Sequence, residues 1–170
     1  MIYVGIDPGA TGALVAMHDG DVDWTAMPHT MHDILEWMKD RTSRGDYCYA
    51  VIEKVGGYVR GAEMPGSAAF NFGKGYGALL MALCAAGIPH EEVTPQVWMR
   101  GLNIPPRKKG EARKDWKNRL KAKAQQLFPR EKATLVTADA LLIAEYCRRK
   151  MTGILARQKD LPAKKRKRGT

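Results

Sequence analysis

The sequence has few cysteines and no long apolar run. Its three cysteines, Cys48, Cys84 and Cys147, are odd in number, widely spaced and embedded in apolar segments, which argues against a disulfide framework and against a CxxC metal site. We expect all three in the core of a protein from a reducing compartment. No run of about 18 apolar residues is present, and the first residues lack the basic start and apolar stretch of a signal peptide. We therefore expect a cytosolic protein without a membrane partner.

Acidic residues are scarce in the second half of the 170-residue chain. Residues 1–99 contain 6 Lys and Arg against 12 Asp and Glu, whereas residues 100–170 contain 22 against 6. A segment with such an excess of positive charge favours a polyanionic partner. The hydrophobic content of 45% is enough for the core of one globular domain at this length. We assign this domain to residues 1–155 and expect the basic tail, 156–170, to be disordered.

Apolar periodicity predicts an α/β order in which a strand meander opens the chain and helices dominate its second half. Short turns join the first three strands, which should therefore pair antiparallel, and a glycine-rich loop is predicted at 56–66. The predicted strands lie at about residues 2–6, 14–17, 22–27, 47–52 and 92–94. The predicted helices lie at about residues 32–41, 67–86, 95–102, 111–127 and 138–150.

Two acidic residues stand at the ends of predicted buried strands. Asp7 follows the apolar run IYVGI and precedes a turn that contains Gly9 and Gly12, and Glu53 ends CYAVIE in the same way. If the two strands are neighbours in one sheet, both carboxylates emerge at the same edge. Each acid also has an ordinary alternative role, since an aspartate often starts a turn and Glu53 has Lys54 beside it.

A third acid lies on an apolar helix face. In TADALLIAEYCRR, helical spacing places Asp139 on one face with Leu142, Ile143 and Tyr146. Burial of a carboxylate is costly unless the charge is compensated, although Asp139 could instead cap its helix at the positive end of the dipole. Three such acids from distant parts of the chain favour divalent cations, whose preferred ligands are carboxylate oxygens.

Five segments together carry a family resemblance. In chain order they are YVGIDPGATGALV, VIEKV, FNFGKGYGALLMALCAAGIP, VTPQVWM and ADALLIAEYCRR. Over about residues 1–150 this ordered set resembles the RuvC family of Holliday junction resolvases, and most closely the short RuvC-like proteins of phages and prophages. The resemblance implies an RNase H-like α/β fold, with a mixed five-stranded sheet flanked by helices on both faces.

The resemblance also implies an activity: a structure-selective DNA endonuclease that resolves four-way junctions, in a bacterial or phage-infected bacterial cell. It assigns Asp7, Glu53 and Asp139 as catalytic residues that bind two Mg²⁺ ions, or Mn²⁺ in their place, with Asp7 bridging the pair. The reaction is phosphodiester hydrolysis by two metal ions, which leaves 5′-phosphate and 3′-hydroxyl ends. Because a two-fold symmetric junction needs two opposed cuts, a homodimer is expected, with its interface on the small-residue helix 73–86.

The sequence departs from the family pattern at one position. RuvC enzymes usually carry a fourth metal-site residue, an Asp or His, commonly three residues before the last aspartate, where this chain has Val136. No acid or histidine lies between Lys132 and Asp139, and Thr134 and Thr137 are the polar candidates for holding a metal-bound water. This departure keeps open a second interpretation, a branched-DNA binding module with weak or no catalysis.

The basic half of the chain offers a surface for DNA phosphates. Between Glu111 and Lys123, six basic residues stand against two acids, around an apolar stripe that includes Trp116 and Leu120. Such a surface contacts phosphates with little sequence information, whereas a merely solvated helix face is the alternative. The expected DNA-binding residues are Lys108, Lys109, Arg113, Lys114, Lys117 and Lys121.

Aromatic residues near Glu53 are candidates for stacking on unpaired bases at an opened junction. Tyr58, in the glycine-rich loop, is the first of them, followed by Phe70 and Phe72. Core packing is the stronger interpretation for the two phenylalanines, because they begin an apolar helix. Trp98 falls on an apolar helix face and is expected in the core.

Two related classes of protein share parts of this pattern. Actin-like ATPases and sugar kinases have a similar strand, turn and early aspartate, but they need a second domain for which 170 residues leave no room. Nucleases of the RuvX group share the fold and act on RNA, but FNFGKGYGALL and VTPQVW point away from them. An RNA nuclease of that group remains an alternative to the junction resolvase.

Overall fold

The computed structural model of the chain describes residues 1–43, 45–55 and 65–159. The predicted strands and helices occur in the predicted order, with ends that lie within two residues of the predicted ones, and one further short helix follows at 154–159. The strands are β1 (Ile2–Asp7), β2 (Ala13–His18), β3 (Asp21–Ala26), β4 (Cys48–Glu53) and β5 (His90–Val93). The helices are α1 (Met31–Thr42), α2 (Gly66–Ala85), α3 (Pro95–Gly101), α4 (Arg113–Leu127), α5 (Ala138–Met151) and α6 (Ile154–Lys159).

The five strands form one mixed sheet in the order β3-β2-β1-β4-β5. β1, β2 and β3 pair antiparallel, and β4 pairs parallel with both β1 and β5. A tight turn at Asp19 and Gly20, both with positive φ, joins β2 to β3, as expected for a short hairpin connection. The predicted α/β class with an antiparallel meander and a mixed five-stranded sheet is confirmed.

Helices cover both faces of the sheet, and each face has its own apolar core. On one face, Val4 and Ile6 of β1 pack in a cluster with residues of α1 and α2. On the other face, Val51 of β4 packs with Trp98 of α3, and residues of α4 and α5 complete that cluster. Because side chains alternate along a strand, β1 presents Asp7 to the second face.

Helix α5 approaches the centre of the sheet unusually closely. A Cβ atom on Gly5 would lie 2.2 Å from the backbone nitrogen of Ala144 and 2.4 Å from the carbonyl oxygen of Ala140. Only a residue without a side chain permits that contact between β1 and α5. Gly5 therefore sets the distance between the strand that ends in Asp7 and the helix that begins beside Asp139.

The structure changes one expectation about the cysteines and extends the helical part of the chain. Cys48 and Cys147 are buried as expected, but Cys84 is exposed because it lies on the outer side of α2. Helix α6 crosses the predicted domain boundary between residues 155 and 156, and residues 160–170 of the basic tail lie outside the described residues. None of the described helices is long and apolar enough to cross a membrane.

Candidate active site

Asp7 and Glu53 lie side by side at one edge of the sheet. Asp7 is the last residue of β1 and Glu53 the last residue of β4, and the parallel register pairs Ile6 with Ile52 immediately before them. Side-chain alternation turns both carboxylates toward the face that α5 covers. The expectation that the two strand-end acids emerge together is therefore correct.

Asp139 joins them from the first turn of α5. Its side chain is only 8% exposed, and one carboxylate oxygen, Oδ2, accepts a hydrogen bond from Nζ of Lys117 on α4. The other oxygen, Oδ1, is buried and has no hydrogen-bond partner within the described part of the chain. A buried carboxylate oxygen that lacks a hydrogen-bond donor is unfavourable. A cation or a donor that binds this oxygen would therefore stabilise the charged form of Asp139.

The three carboxylates are close enough to perturb one another. Burial, followed by the negative charges of Asp139 and Glu53, raises the pKa of Asp7 from 3.8 to about 7, while Lys117 lowers it. Burial also raises the pKa of Glu53, with Asp139 adding to the effect. Desolvation together with like charge is the pattern that shifts acids in functional clefts.

The raised pKa of Asp7 predicts how stability depends on pH in the absence of divalent cations. Folded Asp7 keeps its proton up to about pH 7, whereas unfolded aspartate loses its proton near pH 3.8. Between these values the folded state binds more protons, so stability falls as pH rises. The melting temperature of the wild type relative to Asp7→Asn should therefore decline from about pH 4 to pH 7. Thermal melts of both proteins in EDTA measure this, and a pH-independent difference would contradict it.

Glu53 is held by a tryptophan from the core. The indole Nε1–H of Trp98, on α3, donates a hydrogen bond of 2.9 Å to Oε2 of Glu53, and this bond lowers the pKa of Glu53 against the effect of burial. Trp98 is 1% exposed, so its packing fixes the position of the donor. The sequence interpretation of Trp98 as a core residue is correct but missed this polar contact.

Replacing Trp98 with phenylalanine should raise the pKa of Glu53 further. Phenylalanine keeps most of the apolar volume but cannot donate to the carboxylate, so the ionised form of Glu53 loses a stabilising partner. The pKa can be measured by NMR titration of the Glu53 carboxyl carbon. Trp116→Phe is the matched control, since the Trp116 indole makes no side-chain hydrogen bond with any described residue. An unchanged Glu53 pKa in Trp98→Phe would contradict the assigned contact.

Lys117 differs from the other basic residues of α4 in its surroundings. Its side chain is about one-third exposed, and it interacts with all three carboxylates. Burial alone lowers the pKa of this ammonium, but the attraction of Asp139, Asp7 and Glu53 outweighs burial and raises the pKa. The cluster thus contains three acids and one resident positive charge.

Solved structures with the same arrangement of elements are known. T. thermophilus RuvC in complex with Holliday junction substrate has a TM-score of 0.59 at 18% sequence identity, with 90% of this chain and 97% of that chain covered. A second Thermus thermophilus RuvC structure has a TM-score of 0.58 at 22% identity, with the same coverage. The chain has the RuvC fold. No protein-family model matches the sequence, and no curated protein matches it.

The fold that this chain shares with the RuvC structures is RNase H-like, as the sequence resemblance implied. Among the described residues, Asp7, Glu53 and Asp139 nevertheless do not form a ready-made cation site. Within residues 1–43, 45–55 and 65–159, no group of three or more His, Cys, Asp and Glu side chains is arranged to hold a metal ion. The donor chemistry fits hard divalent cations, since it consists of carboxylate oxygens, but one oxygen of Asp139 is bound to Lys117.

The position expected for a fourth acid contains a partly exposed apolar side chain. Val136 and its neighbour Leu135 are 36% and 51% exposed, just before α5 of the RuvC fold. Thr134 and Thr137 are engaged in the turn that starts the helix, because each hydroxyl accepts from the other residue's backbone amide at 3.0 and 3.1 Å. Both hydroxyls are therefore used within the turn. The position for which the family resemblance predicts an acid or a histidine carries a valine, Val136.

Most of the predicted DNA-binding lysines and arginines are exposed, and they lie on α4 or in the segment before it. Two nearby arginines have structural roles instead: Arg119 binds Glu111 and stacks on Trp116, and Arg107 donates to the carbonyl of Glu111. Together they tie the segment before α4 to that helix. The exposed members of the predicted set are Lys108, Lys109, Arg113, Lys114 and Lys121.

The aromatic candidates separate into three cases. Phe70 is 72% exposed on α2, so the expectation of core packing is wrong for it: residues 66–71 of α2 are exposed, and the helix joins the apolar cluster only farther along. Phe72 is half-buried, stacks on Tyr76 and lies beside the turn at Gly9. It lines a groove of about 860 Å³ between α1 and α2. Tyr58 lies outside the described residues.

Proposed function

We propose that the protein is a structure-selective DNA endonuclease that resolves four-way junctions. The observation that carries the proposal is the meeting of Asp7, Glu53 and Asp139, from β1, β4 and α5, at one edge of a RuvC fold. One structure with this fold is described as a RuvC in complex with Holliday junction substrate. Desolvated, mutually repelling carboxylates of this kind are costly for folding alone, which supports a functional role for them.

Asp7, Glu53 and Asp139 are the residues that would hold divalent cations, Mg²⁺ or Mn²⁺. When bound, such cations would supply activation of a water molecule and stabilisation of the leaving oxygen, and the expected products are 5′-phosphate and 3′-hydroxyl ends. The chain's own contribution is to keep the three carboxylates in place. Trp98 orients Glu53, Gly5 lets α5 bring Asp139 close to β1, and the paired end of β1 carries Asp7.

The exposed basic residues on and before α4 provide the proposed contact with DNA. Lys114 and Lys121 project from the helix that also carries Lys117, and Lys108 and Lys109 precede it. Side chains of this type neutralise phosphates without reading bases, so the duplex arms of a junction are suitable ligands. Lys117 links this surface to Asp139, so phosphates bound to these residues would lie next to the carboxylate cluster.

A homodimer is part of the proposal, because two opposed strands must be cut. The outer face of α2 supports it: Phe70 and Met81 are 72% and 63% exposed. Gly73, Gly75 and Gly77 lie on the same helix, and a Cβ atom on any of them would meet no described atom within 4 Å. An apolar face with glycines allows close approach of a second helix, and exposed apolar patches commonly mark interfaces.

A branched-DNA binding module without catalysis is the second candidate function. It is favoured by the absence of an acid or histidine at Val136 and by the ion pair that occupies one oxygen of Asp139. The basic surface would serve this function equally well. The two candidates differ in a single observable, which is metal-dependent cutting of the junction.

The deciding experiment is incubation of a labelled four-way DNA junction with the purified protein in Mg²⁺, in Mn²⁺ and in EDTA. Paired, symmetric nicks that need metal would support both the resolvase and the dimer. Tight binding of the junction without nicks in either metal would overturn the nuclease and favour the binding module. A linear duplex of equal length and a single-stranded RNA are the substrate controls.

A further inference from the structure

We propose that Lys117 is the resident cation of the carboxylate cluster, and that divalent cations must compete with it for Asp139. The inference deepens the proposed metal-dependent function and rests on it. It assigns to one lysine of the basic helix a role different from that of its neighbours: Lys117 controls how readily the acidic site accepts metal, whereas the others contact DNA.

The contacts of Asp139 are the first support for this role. Lys117 Nζ donates to Oδ2 of Asp139, and Oδ1 is buried without a partner among the described residues. Asp139 therefore has one oxygen available for a metal and one already bound to a positive charge. A divalent cation that binds this carboxylate must do so beside an ammonium or after its departure, and either alternative costs affinity.

The composition of the cluster is the second support. Three carboxylates and one ammonium carry a net charge of −2 when all are ionised, whereas an acid at the position of Val136 would make the site more negative. Fewer negative ligands weaken the binding of a divalent cation. Lys117 and Val136 both leave the site less negative, so both weaken the binding of a divalent cation. Lys117 is paired with Asp139, and Val136 lies three residues before it in the chain.

The exposure of Lys117 is the third support, because a competing cation must be able to leave. About one-third of its side chain is exposed, whereas the Asp139 side chain is 8% exposed. The neighbouring Lys114 and Lys121 are exposed on the same helix, so a released Lys117 ammonium has DNA phosphates as its next available partners. Departure from Asp139 is then compatible with a bound substrate.

The test is the affinity of the protein for Mn²⁺ without DNA, measured by isothermal titration calorimetry at neutral pH. Lys117→Gln removes the charge but keeps an amide that can donate to Asp139. We expect it to bind Mn²⁺ about tenfold more tightly than the wild type, a change of about 1.4 kcal/mol. Lys117→Arg keeps the charge and should bind like the wild type. Lys123→Gln, on the same helix but outside the proposed DNA-contacting set, is the matched control and should also leave the affinity unchanged.

A second measurement keeps the test valid if Lys117→Gln is unstable. The increase in melting temperature that saturating Mn²⁺ causes should be larger in Lys117→Gln and in Lys117→Met than in the wild type, because ligand binding to the folded state raises stability. Equal Mn²⁺ affinities and equal increments in wild type and variants would overturn this inference alone. Absence of Mn²⁺ binding in every protein would overturn both the inference and the metal-dependent function.

Discussion

Asp7→Asn should reduce junction cleavage by at least about 1,000-fold, on the order of 4 kcal/mol of transition-state stabilisation. Asp7 is partly buried at the end of β1, where the charges of Asp139 and Glu53 act on it, and its ionised form is the one that can bind a cation. Asparagine has nearly the same shape but no charge, so the fold should persist while the ligand is lost. Single-turnover cleavage of a labelled four-way junction in Mg²⁺ measures the effect.

Binding of the junction should survive this substitution. Asp7→Asn removes a negative charge from the neighbourhood of the basic residues on α4, so affinity for DNA in EDTA should be equal to or greater than that of the wild type. Asp21→Asn, at the exposed start of β3, makes the same chemical change away from the cluster and should cleave normally. Cleavage by Asp7→Asn at a rate within tenfold of the wild type would remove Asp7 from the proposed catalytic set.

The second large effect is expected at Gly5. Even the single methyl group of alanine would be placed 2.2 Å from a backbone nitrogen and 2.4 Å from a carbonyl oxygen of α5, and neither backbone atom can move as a flexible side chain does. The strand and the helix must therefore separate. We expect Gly5→Ala to lose about 3 kcal/mol or more of unfolding free energy, which corresponds to roughly 10 °C in melting temperature for a chain of this size.

Thermal melts followed by circular dichroism, with Gly66→Ala as the control, measure this loss. A Cβ atom on Gly66 would meet no described atom within 4 Å, and this glycine begins α2. Alanine there should be neutral or slightly stabilising, because it lowers the entropy of the unfolded chain. If Gly5→Ala melted at the wild-type temperature, as the control should, the close packing of α5 on β1 would be contradicted.

Sequence patterns predicted the fold and the approach of the three acids well, for a physical reason. Apolar alternation identifies which side of a strand is buried, and parallel pairing then brings the ends of β1 and β4 together. Helical periodicity likewise placed Asp139 on the buried face of α5. In each case the signal is a spacing, and backbone geometry converts that spacing into a position.

Contacts between polar atoms from distant segments were not predictable in the same way. Trp98 and Glu53 are 45 residues apart, and Lys117 and Asp139 are 22 apart. Periodicity assigned Trp98 to the core and Lys117 to a basic surface, but it carries no information about where an indole N–H or an ammonium is directed. The exposed Phe70 was missed for a related reason, since an apolar helix face does not reveal which of its turns lies beyond the neighbouring element.

The contact between β1 and α5 also has a consequence for the newly made chain. Asp7 is synthesised long before Asp139, so the carboxylate cluster depends on a contact of very long sequence separation, which forms slowly compared with local structure. A ribosome-bound chain that lacks α5 has the strand ends but not the third acid. The complete acidic cluster, and any cutting of nucleic acid that depends on it, therefore arises only when nearly the whole domain has been made.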